Sequence, residues 1–399
     1  MKKKIESIMF KRNNLKYLGL AIATIFCFHW ILTIVNPKSS FSRPWGVTEL
    51  DTTQDDTYIQ DQKTINDPNK TKPTQTGKAK AAFVVLIRNG DLHSFRSSMR
   101  QLEDRFNHKY NYPYVFLNDE PFNEEFIKLT SAMTKGKTEY GLIPREHWSV
   151  PMDIDMNIVR KNMEKMREEQ VLYGDSLPYR HMCRFESGFF YRHELLDKYD
   201  YYWRVEPGVQ FYCDLDYDPF VFMKKYDIRY SFTISLYEYP KTIPTLWDSV
   251  REFGKLHPQY IEKDNLMDFI SSDNGATYNL CHFWSNFEIA DLNLWRSEAY
   301  TKFFSFLDSK GGFFYERWGD APVHSIAAAL FLKKHQIHFF NDIGYRHEPF
   351  SHCPADEKIQ LKCHCNPHDS FDFHGYSCTG KFLDLKAKWA TIASNVTRN

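Results

Sequence analysis

Hydrophobic and polar positions alternate beyond residue 78 in a way that predicts strands followed by helices. AAFVVLIR at residues 81–88 is a short continuous apolar run of strand length, and Asn89-Gly90 ends it before a helical pattern over residues 94–106. A second pair follows, with the strand YVFLN at 114–118 and a helix at 123–133. Because buried strands followed by helices are typical of α/β domains, we expect a layered sheet flanked by helices.

Later segments continue this alternation and place polar side chains at strand ends. Apolar residues recur at helical spacing between residues 182 and 199, and YYWRV at 201–205 should be the strand that follows. Ligands of open α/β sheets gather at the carboxyl ends of strands, so Glu206, Glu288 and His347, at or just past such ends, are candidate site residues. The remaining predicted elements are strands at 281–289 and 337–342 and helices at 294–307 and 322–334.

The N-terminal pattern is different and predicts a membrane anchor. Residues 17–35 are nearly free of polar side chains, and a helix needs about 20 such residues to cross a bilayer. Residues 1–16 carry a clear excess of Lys and Arg, which predicts that this end stays cytoplasmic and that the rest faces a lumen. A cleaved signal peptide is the alternative, but the apolar run is too long for one and no small-x-small cleavage site follows it.

Residues 36–78 predict an unstructured stem ahead of a catalytic domain at residues 79–399. The stem is rich in Asp, Thr, Gln, Lys, Asn and Pro and has few large apolar residues, so it cannot bury enough surface to offset its ordering entropy. Sequons at Asn69 and Asn395 are glycosylation candidates in a lumen.

Length and composition allow one large domain or two small ones and give no sign of a nucleic-acid partner. Of the 399 residues, 42% are hydrophobic and 17% aromatic, which is ample for a large core. The 51 basic and 51 acidic side chains cancel, so no global field attracts nucleic acid or an anionic surface. Any anionic ligand must therefore be met by a local site.

Cysteine usage also indicates an oxidising compartment. Seven of the eight cysteines lie beyond the predicted anchor, and we expect them mostly to pair, with one left over. The Cys- and His-rich stretch at 352–378 has a zinc site as its alternative, although its C-x-C spacing is not the usual C-x-x-C knuckle.

Several long motifs of the chain resemble one enzyme family. In order and behind the predicted anchor, they are YRHMCRFESGFF, YYWRVEPGVQFYCD, WSNFEI, GGFFYERWGDAPVHSIA and GYRHEPFSHCP. Together they resemble the fungal Kre2/Mnt1-type α-1,2-mannosyltransferases of the Golgi, glycosyltransferase family 15. The resemblance covers about residues 79–365 and excludes the stem.

The resemblance implies a GT-A-like mixed sheet flanked by helices in a single lumenal catalytic domain. It also implies Mn²⁺-dependent transfer of mannose from GDP-mannose to a mannose 2-hydroxyl, with retention of configuration. On this basis Glu206 and His347 are the metal ligands and Glu288 is the proposed nucleophile. Tyr179, Arg204 and Asp320 fall on positions around donor and acceptor.

Metal chemistry supports the same ligand pair without excluding another. One carboxylate and one imidazole, completed by phosphate oxygens and water, suit Mn²⁺ better than Mg²⁺, because imidazole is a softer ligand than oxygen. Glu206 and His347 supply that set. The Asp214-Leu215-Asp216 triplet has a spacing common in sugar-nucleotide enzymes, and its alternative is a polar loop with turn and capping roles.

The other candidate residues each carry a structural alternative. Glu288 acts as nucleophile or charge stabiliser, or else is a strand carboxylate that faces solvent or pairs with Arg296. Asp320 either binds a sugar hydroxyl or caps the helix that follows it. Arg204 lies on the face of Glu206 and pairs with a carboxylate or a phosphate.

Two further residues are assigned to the nucleotide. Tyr179 contacts the diphosphate through its hydroxyl or is a buried packing residue. Arg88, at the end of the first strand, is a candidate for the guanine or phosphate end of the donor.

The predicted anchor and the resemblance together imply a single-pass type II Golgi membrane enzyme that transfers mannose to N-linked glycans, O-linked glycans or both on glycoproteins. The alternative is a membrane-tethered mannose-binding module without transfer activity. A hydrolase with paired carboxylates is a third possibility, and it would need neither metal nor nucleotide.

Overall fold

The structure, a computed structural model, describes the backbone of residues 77–396 and the side chains of residues 77–389. The predicted cytoplasmic tail, transmembrane segment and almost all of the stem lie outside the described residues. Within residues 77–396, no helix is long and apolar enough to cross a membrane. All described residues belong to the second of the two units into which the chain divides, residues 60–399.

Short, mostly buried strands form one large sheet and two small ones. Their bounds are β1 Ala81–Leu86, β2 Tyr114–Asn118, β3 Thr138–Leu142, β4 Tyr201–Arg204, β5 Gln210–Phe211, β6 Tyr230–Phe232, β7 Ser235–Tyr237, β8 Cys281–Phe283, β9 Glu288–Asp291, β10 Ile337–Phe339, β11 Tyr345–His347 and β12 Phe350–His352.

The large sheet is mixed and mainly parallel. Its strand order is β10-β6-β9-β4-β1-β2-β3, and β9 runs antiparallel to both of its neighbours, β6 and β4. All other pairs in this sheet are parallel. Because of the antiparallel register, Arg204 at the end of β4 lies directly opposite Glu288 at the start of β9. The small sheets have the orders β12-β11-β5 and β7-β8.

Helices connect and cover these strands. The longer ones are α1 Leu92–Leu102, α2 Glu124–Ser131, α3 Met156–Glu168, α4 Leu177–Gly188, α5 Pro219–Lys225, α6 Leu246–Leu256, α7 Glu298–Ser309, α8 Asp320–Phe331 and α9 Thr379–Val396. Short helical segments are His108–Tyr110, Met267–Ile270, Leu292–Arg296, Gly312–Tyr315 and Glu357–Gln360, and a π-helical turn spans Glu103–Asn107.

Aromatic side chains fill the layers on both faces of the large sheet. On one face, Trp203 packs against Phe83 and Phe106, with ring centroids 5.6 and 5.7 Å apart. On the other face, Tyr202 packs against Phe190 at 4.9 Å and accepts a hydrogen bond from the Trp295 indole at 3.0 Å. The predicted mixed α/β sheet flanked by helices is therefore confirmed.

Three predicted elements are divided in the structure. The helix expected at 182–199 ends at Gly188, and 3-10 turns follow it. The strand expected at 281–289 is split into β8 and β9 by a turn in which the Phe287 amide donates to the Trp284 carbonyl at 3.2 Å. The helix expected at 294–307 breaks at Ser297, which has extended dihedrals and caps α7 by accepting from the Tyr300 amide.

The cysteine prediction is confirmed. Disulfides join Cys213 to Cys363, Cys281 to Cys378 and Cys353 to Cys365, and Cys183 is the free, buried one. The alternative of a zinc site at residues 352–378 is wrong, because every cysteine of that stretch is part of a disulfide.

Candidate active site

Arg204 is the centre of a charged cluster at the carboxyl end of β4. Its Nη1 donates to Asp320 Oδ2 at 2.6 Å, and its Nη2 donates to Glu206 Oε1 at 2.6 Å. Only 7% of the Arg204 side chain is exposed, so both ion pairs are shielded from water. Gly208, with φ of 81°, lets the chain turn immediately after Glu206.

The β11–β12 hairpin brings His347 to the same strand end. Strand β11 pairs with β5, and the Tyr345 hydroxyl donates to the Asn286 carbonyl at 3.1 Å, which fixes the hairpin above the turn between β8 and β9. The ring of Trp284, in that turn, packs against His347 with centroids 4.9 Å apart. His347 Nε2 then lies 3.5 Å from Glu206 Oε2.

The hydrogen bonding of His347 directs its Nε2 toward Glu206. His347 Nδ1 lies 2.9 Å from the Glu348 carbonyl oxygen and, as that partner requires, donates its hydrogen to it. Burial lowers the pKa of His347, but contact with Glu206 raises it by more. Burial likewise raises the pKa of Glu206, but Arg204 and His347 outweigh it and bring that pKa to about 2. Glu206 is therefore an ionised carboxylate that faces an imidazole nitrogen.

The Glu206 and His347 pair fits a divalent cation by distance and by donor type. With metal–ligand distances of about 2.1 Å, two ligands of one ion lie about 3–4 Å apart, and the observed separation of 3.5 Å falls in that range. Within residues 77–389, no group of three or more His, Cys, Asp or Glu side chains is arranged to hold a metal ion. The described residues thus bring two candidate ligands together at this place.

The Asp214-Leu215-Asp216 triplet lies elsewhere and already has cationic partners. Asp214 accepts from Arg105 Nη1 at 2.6 Å. Asp216 pairs with Lys109 at 3.5 Å and also contacts Lys362. The expected turn and capping role in this region belongs instead to Asp218, whose Oδ1 accepts from the first amides of α5.

Asp320 joins α8 to the charged cluster. It is the first residue of α8 and makes no capping hydrogen bond, since the cap position is Gly319. Its Oδ2 accepts from Arg204 and from the Ser285 hydroxyl, the latter at 2.7 Å. The capping alternative for Asp320 is therefore wrong, because its carboxylate accepts hydrogen bonds from Arg204 and Ser285 and not from an amide of the helix.

Glu288 is fully enclosed and hydrogen-bonded on both carboxylate oxygens. Tyr202 donates to Oε2 at 2.6 Å, and Tyr230 donates to Oε1 at 2.9 Å. His324 Nδ1 lies 2.8 Å from Oε1, and 1% of the Glu288 side chain is exposed. The alternatives of a solvent-facing carboxylate or a pair with Arg296 are wrong, because Arg296 donates to the backbone carbonyls of residues 191, 196 and 199.

His324 is an imidazolium by its contacts, and sequence analysis did not identify it. Its Nε2 lies 3.1 Å from the Glu186 carbonyl oxygen while its Nδ1 faces Glu288, so both ring nitrogens face acceptors and both must carry hydrogen. Burial lowers the pKa of His324, but Glu288 raises it by more. Trp295 stacks on the ring at 4.2 Å, which favours a cation. One feature of the sequence could have identified it: His324 follows Asp320 by four residues, so the two side chains lie on the same face of one helix.

Tyr179 lies beside the cluster in an aromatic setting. Its ring stacks on Tyr173 with centroids 4.5 Å apart, and the Arg317 guanidinium lies 5.2 Å from its centre. Burial holds the pKa of Tyr179 well above its usual value, so the hydroxyl keeps its hydrogen. The structure thus places Tyr179 as a packed residue that can still donate a hydrogen bond.

Arg88 is at the surface and pairs with a residue outside the cluster. It follows β1, its side chain is 78% exposed, and its Nε donates to Asp91 at 3.1 Å. The structure therefore brings together Arg204, Glu206, Asp320 and His347, with Glu288 enclosed beneath them, and leaves Arg88 at the surface.

Comparison with known proteins gives clear matches. The family described as glycolipid 2-alpha-mannosyltransferase matches residues 46–387. Alpha-1,2 mannosyltransferase KTR1 of Saccharomyces cerevisiae is 57% identical over 316 residues, which are 78% of this chain and 80% of that relative.

Solved structures match over most of their length. Core-mannan synthase A (CmsA/Ktr4) of Aspergillus fumigatus, in a Mn/GDP form, is 46% identical with a TM-score of 0.70 and covers 73% of this chain and 79% of its own. The mannosyltransferase Ktr4p of S. cerevisiae, in complex with GDP, is 37% identical with a TM-score of 0.75 and covers 85% of this chain and 93% of its own.

Proposed function

The chain belongs to the glycolipid 2-alpha-mannosyltransferase family and is a glycosyltransferase, and we propose that it transfers mannose from GDP-mannose to the 2-hydroxyl of a mannose on a protein-linked glycan. The observation that carries this proposal is the convergence of Glu206 and His347 at the end of β4, beside a buried arginine. The Mn/GDP form of one related structure and the GDP complex of another support the donor and the metal.

Glu206 and His347 would hold Mn²⁺ in this proposal. When bound, the ion supplies positive charge to the diphosphate oxygens as GDP departs. The chain's own part is orientation, because Arg204 anchors one oxygen of Glu206 and the Glu348 carbonyl anchors Nδ1 of His347. Those two contacts leave Oε2 and Nε2 directed at each other.

Arg204 and Asp320 would hold the donor side of the site in place. Arg204 is committed to two carboxylates, so its guanidinium is fixed rather than free to follow a ligand. Asp320 is held by Arg204 and Ser285 through the same oxygen, which leaves Oδ1 available for a sugar hydroxyl. Tyr179 and Arg88 are assigned to the nucleotide in this proposal, with Tyr179 as the closer of the two to the cluster.

Glu288 would act in a retaining transfer as a fixed negative charge close to the reacting sugar. Three donors surround its buried carboxylate and disperse its negative charge, which makes the carboxylate a weaker nucleophile. This enclosure favours stabilisation of an oxocarbenium-like state over formation of a covalent bond.

We further propose a single-pass type II protein of the Golgi membrane, with a single GT-A-like catalytic domain, residues 79–399, in the lumen. The disulfides of the described residues support an oxidising compartment. The apolar run at residues 17–35 would be the anchor. The acceptor is a mannose-terminated glycan of the N- or O-linked class.

The test uses the full-length chain with GDP-mannose and methyl α-mannoside. We expect an α-1,2-linked product with Mn²⁺ and none in chelator, and full turnover in chelator would overturn the metal-dependent proposal. His347→Ala should raise the Mn²⁺ concentration for half-maximal activity at least tenfold, as about 10–100-fold losses follow even from outer-shell changes. His335→Ala is the control, since His335 is 56% exposed and belongs to another part of the surface.

A mannose-binding module without transfer activity is the competing function. It would bind the acceptor sugar equally well without Mn²⁺ and would release no GDP from GDP-mannose.

A further inference from the structure

Glu186 is a buried carboxylate of the charged cluster that the mechanism above does not use. It lies near the end of α4, and 4% of its side chain is exposed. Its Oε2 points to the Arg204 guanidinium but stays 3.8 Å from Nη1, beyond hydrogen-bond distance. Among residues 77–389, no donor reaches this carboxylate. Its backbone carbonyl, in contrast, accepts from His324.

The charges around Glu186 disfavour its ionised form. Arg204 donates to Asp320 and Glu206, each at 2.6 Å, while its Nη1 stays 3.8 Å from Glu186, so the guanidinium stabilises a charge on Glu186 less than on the other two carboxylates. The positive charge of His324 is likewise paired with Glu288. A buried carboxylate without a donor is costly, and taking up a proton removes that cost.

Within residues 77–389 no hydrogen bond to the Glu186 carboxyl group is present, so its carboxylic acid form is able to donate to an oxygen of a bound ligand. A buried O–H group is stabilised when it finds an acceptor oxygen. The neighbouring groups are carboxylates and a guanidinium, and the substrate of the proposed reaction is rich in hydroxyl and phosphate oxygens.

We propose that Glu186 is a donor-binding residue that, as a carboxylic acid, donates a hydrogen bond to an oxygen of the bound nucleotide sugar. This inference rests on the proposed function. A neutral donor at this place adds specificity for the ligand without adding a further negative charge beside a diphosphate.

The electrostatics of the cluster agree with this geometry. Burial raises the pKa of Glu186 to about 7, Arg204 opposes that shift, and the carboxylates of Asp320, Glu206 and Glu288 add to it. The charged or titratable groups that face Glu186 are Arg204 and Glu206 at the end of β4, Glu288 in β9, and Asp320 and His324 in α8.

The experiment compares two substitutions in the full-length chain with Mn²⁺, GDP-mannose and methyl α-mannoside. Glu186→Gln replaces the acid by an amide of the same shape that can still donate, so its kcat/KM should stay within about threefold of the unmodified protein. In the unmodified protein, activity should decline with rising pH as Glu186 loses its proton. In Glu186→Gln this decline should be absent. Glu186→Ala removes the donor and should lower kcat/KM by about tenfold, the loss expected for one buried hydrogen bond.

Binding of GDP and of GDP-mannose, each measured by calorimetry, identifies the oxygen that Glu186 contacts. If Glu186→Ala weakens both, the partner is a phosphate oxygen, and if it weakens GDP-mannose alone, the partner is a sugar oxygen. Either result supports the proposal.

Glu103→Gln is the matched control. Glu103 is also buried, and its Oε1 accepts from Asn107 and Tyr114. It lies in the π-helical turn outside the cluster, so its substitution should lower stability without changing the pH dependence of kcat/KM.

Two results would overturn the inference. One is a Glu186→Gln protein as impaired as Glu186→Ala, which would mean that the ionised carboxylate is required. The other is a Glu186→Ala protein with unchanged kcat/KM. If Glu186→Ala fails to fold, the isosteric Glu186→Gln alone decides. An unmodified protein that transfers no mannose would instead refute the proposed function.

Discussion

At the scale of single residues, the site depends on side chains held by several partners at once. Arg204 donates to two carboxylates and Glu288 accepts from three donors, and these side chains are almost completely buried. Buried polar networks of this kind fix geometry when every member is satisfied and are costly when one is removed. The consequences of a substitution should therefore spread to its neighbours.

The Glu288 and His324 pair provides a direct measurement. Glu288→Gln leaves the His324 imidazolium without a charged partner, and we expect the free energy of unfolding to fall by about 3 kcal/mol. His324→Gln should cause a similar loss. Because both substitutions break the same contact, their double variant should lose less than the sum of the two.

Denaturant titration measures these losses, and GDP binding is followed in parallel. GDP affinity should persist in Glu288→Gln, because the proposed role of Glu288 concerns the sugar, while transfer should be lost. Strictly additive losses of stability would show that the two residues act independently.

At the scale of elements, the site is assembled by register and by close helix packing. The antiparallel pairing of β4 with β9 places Arg204 opposite Glu288. On α8, one turn separates Asp320 from His324, so the helix carries one group to Arg204 and the other to Glu288. A rotation of α8 would disturb both contacts together.

The packing of α4 against α7 can be tested at a glycine. A Cβ built on Gly188, in the last turn of α4, would lie 1.9 Å from Cζ of Phe304, which belongs to α7. Gly188→Ala should therefore lower the free energy of unfolding by about 1–3 kcal/mol.

Gly254→Ala, in α6, is the matched comparison for this test. The nearest heavy atom to its added Cβ would be Ile261 Cδ1 at 4.0 Å, so the substitution should raise stability by about 0.5–1 kcal/mol. Urea midpoints measure both variants. A stabilised Gly188→Ala protein would contradict the packing that the structure shows.

At the scale of the whole molecule, distant parts of the chain are tied together around the sheet. Disulfides join Cys213 to Cys363 and Cys281 to Cys378, with sequence separations of 150 and 97 residues. In the sequence, the β11–β12 hairpin lies between the two cysteines of each of these disulfides, and it carries His347 to the end of β4. A second buried imidazolium follows in this region, since His352 faces Asp372 at 2.8 Å and the Asn341 carbonyl at 3.0 Å.

The buried imidazolium groups predict how global stability depends on pH. Burial lowers the pKa values of His324 and His352, but their carboxylate partners raise them by more, so both are raised above the usual value of about 6.5. A raised folded-state pKa means that the folded protein binds protons more tightly than the unfolded chain. Their stabilisation is complete below about pH 6.5 and is lost as the pH rises through the folded-state values.

The measurement is the free energy of unfolding between about pH 6 and pH 9. The free energy of unfolding should fall with rising pH, and in His352→Gln it should fall less steeply because one of the contributing groups is gone. His335→Ala, an exposed histidine, should keep the slope of the unmodified protein. Equal slopes in all three proteins would contradict the protonated state assigned to His352.

Local pattern was enough to predict much of the fold, because strand and helix formation depend mainly on nearby residues. The strand at 114–118 is found with the predicted bounds, and β1, β4 and α8 lie within a few residues of their predictions. The breaks at Gly188 and Ser297 were missed, since packing against Phe304 and a local cap decide them.

The sequence by itself determined the family motifs and the mixed α/β class. It also predicted that all but one of the described cysteines pair and that Arg204, Glu206, Asp320 and His347 are site groups. Only the tertiary structure decided that Glu288 is enclosed by Tyr202, Tyr230 and His324, and that no donor among the described residues reaches Glu186. The physical reason is that hydrogen-bond partners and burial depend on which strands and helices meet in space, and residue spacing along one chain does not specify those contacts.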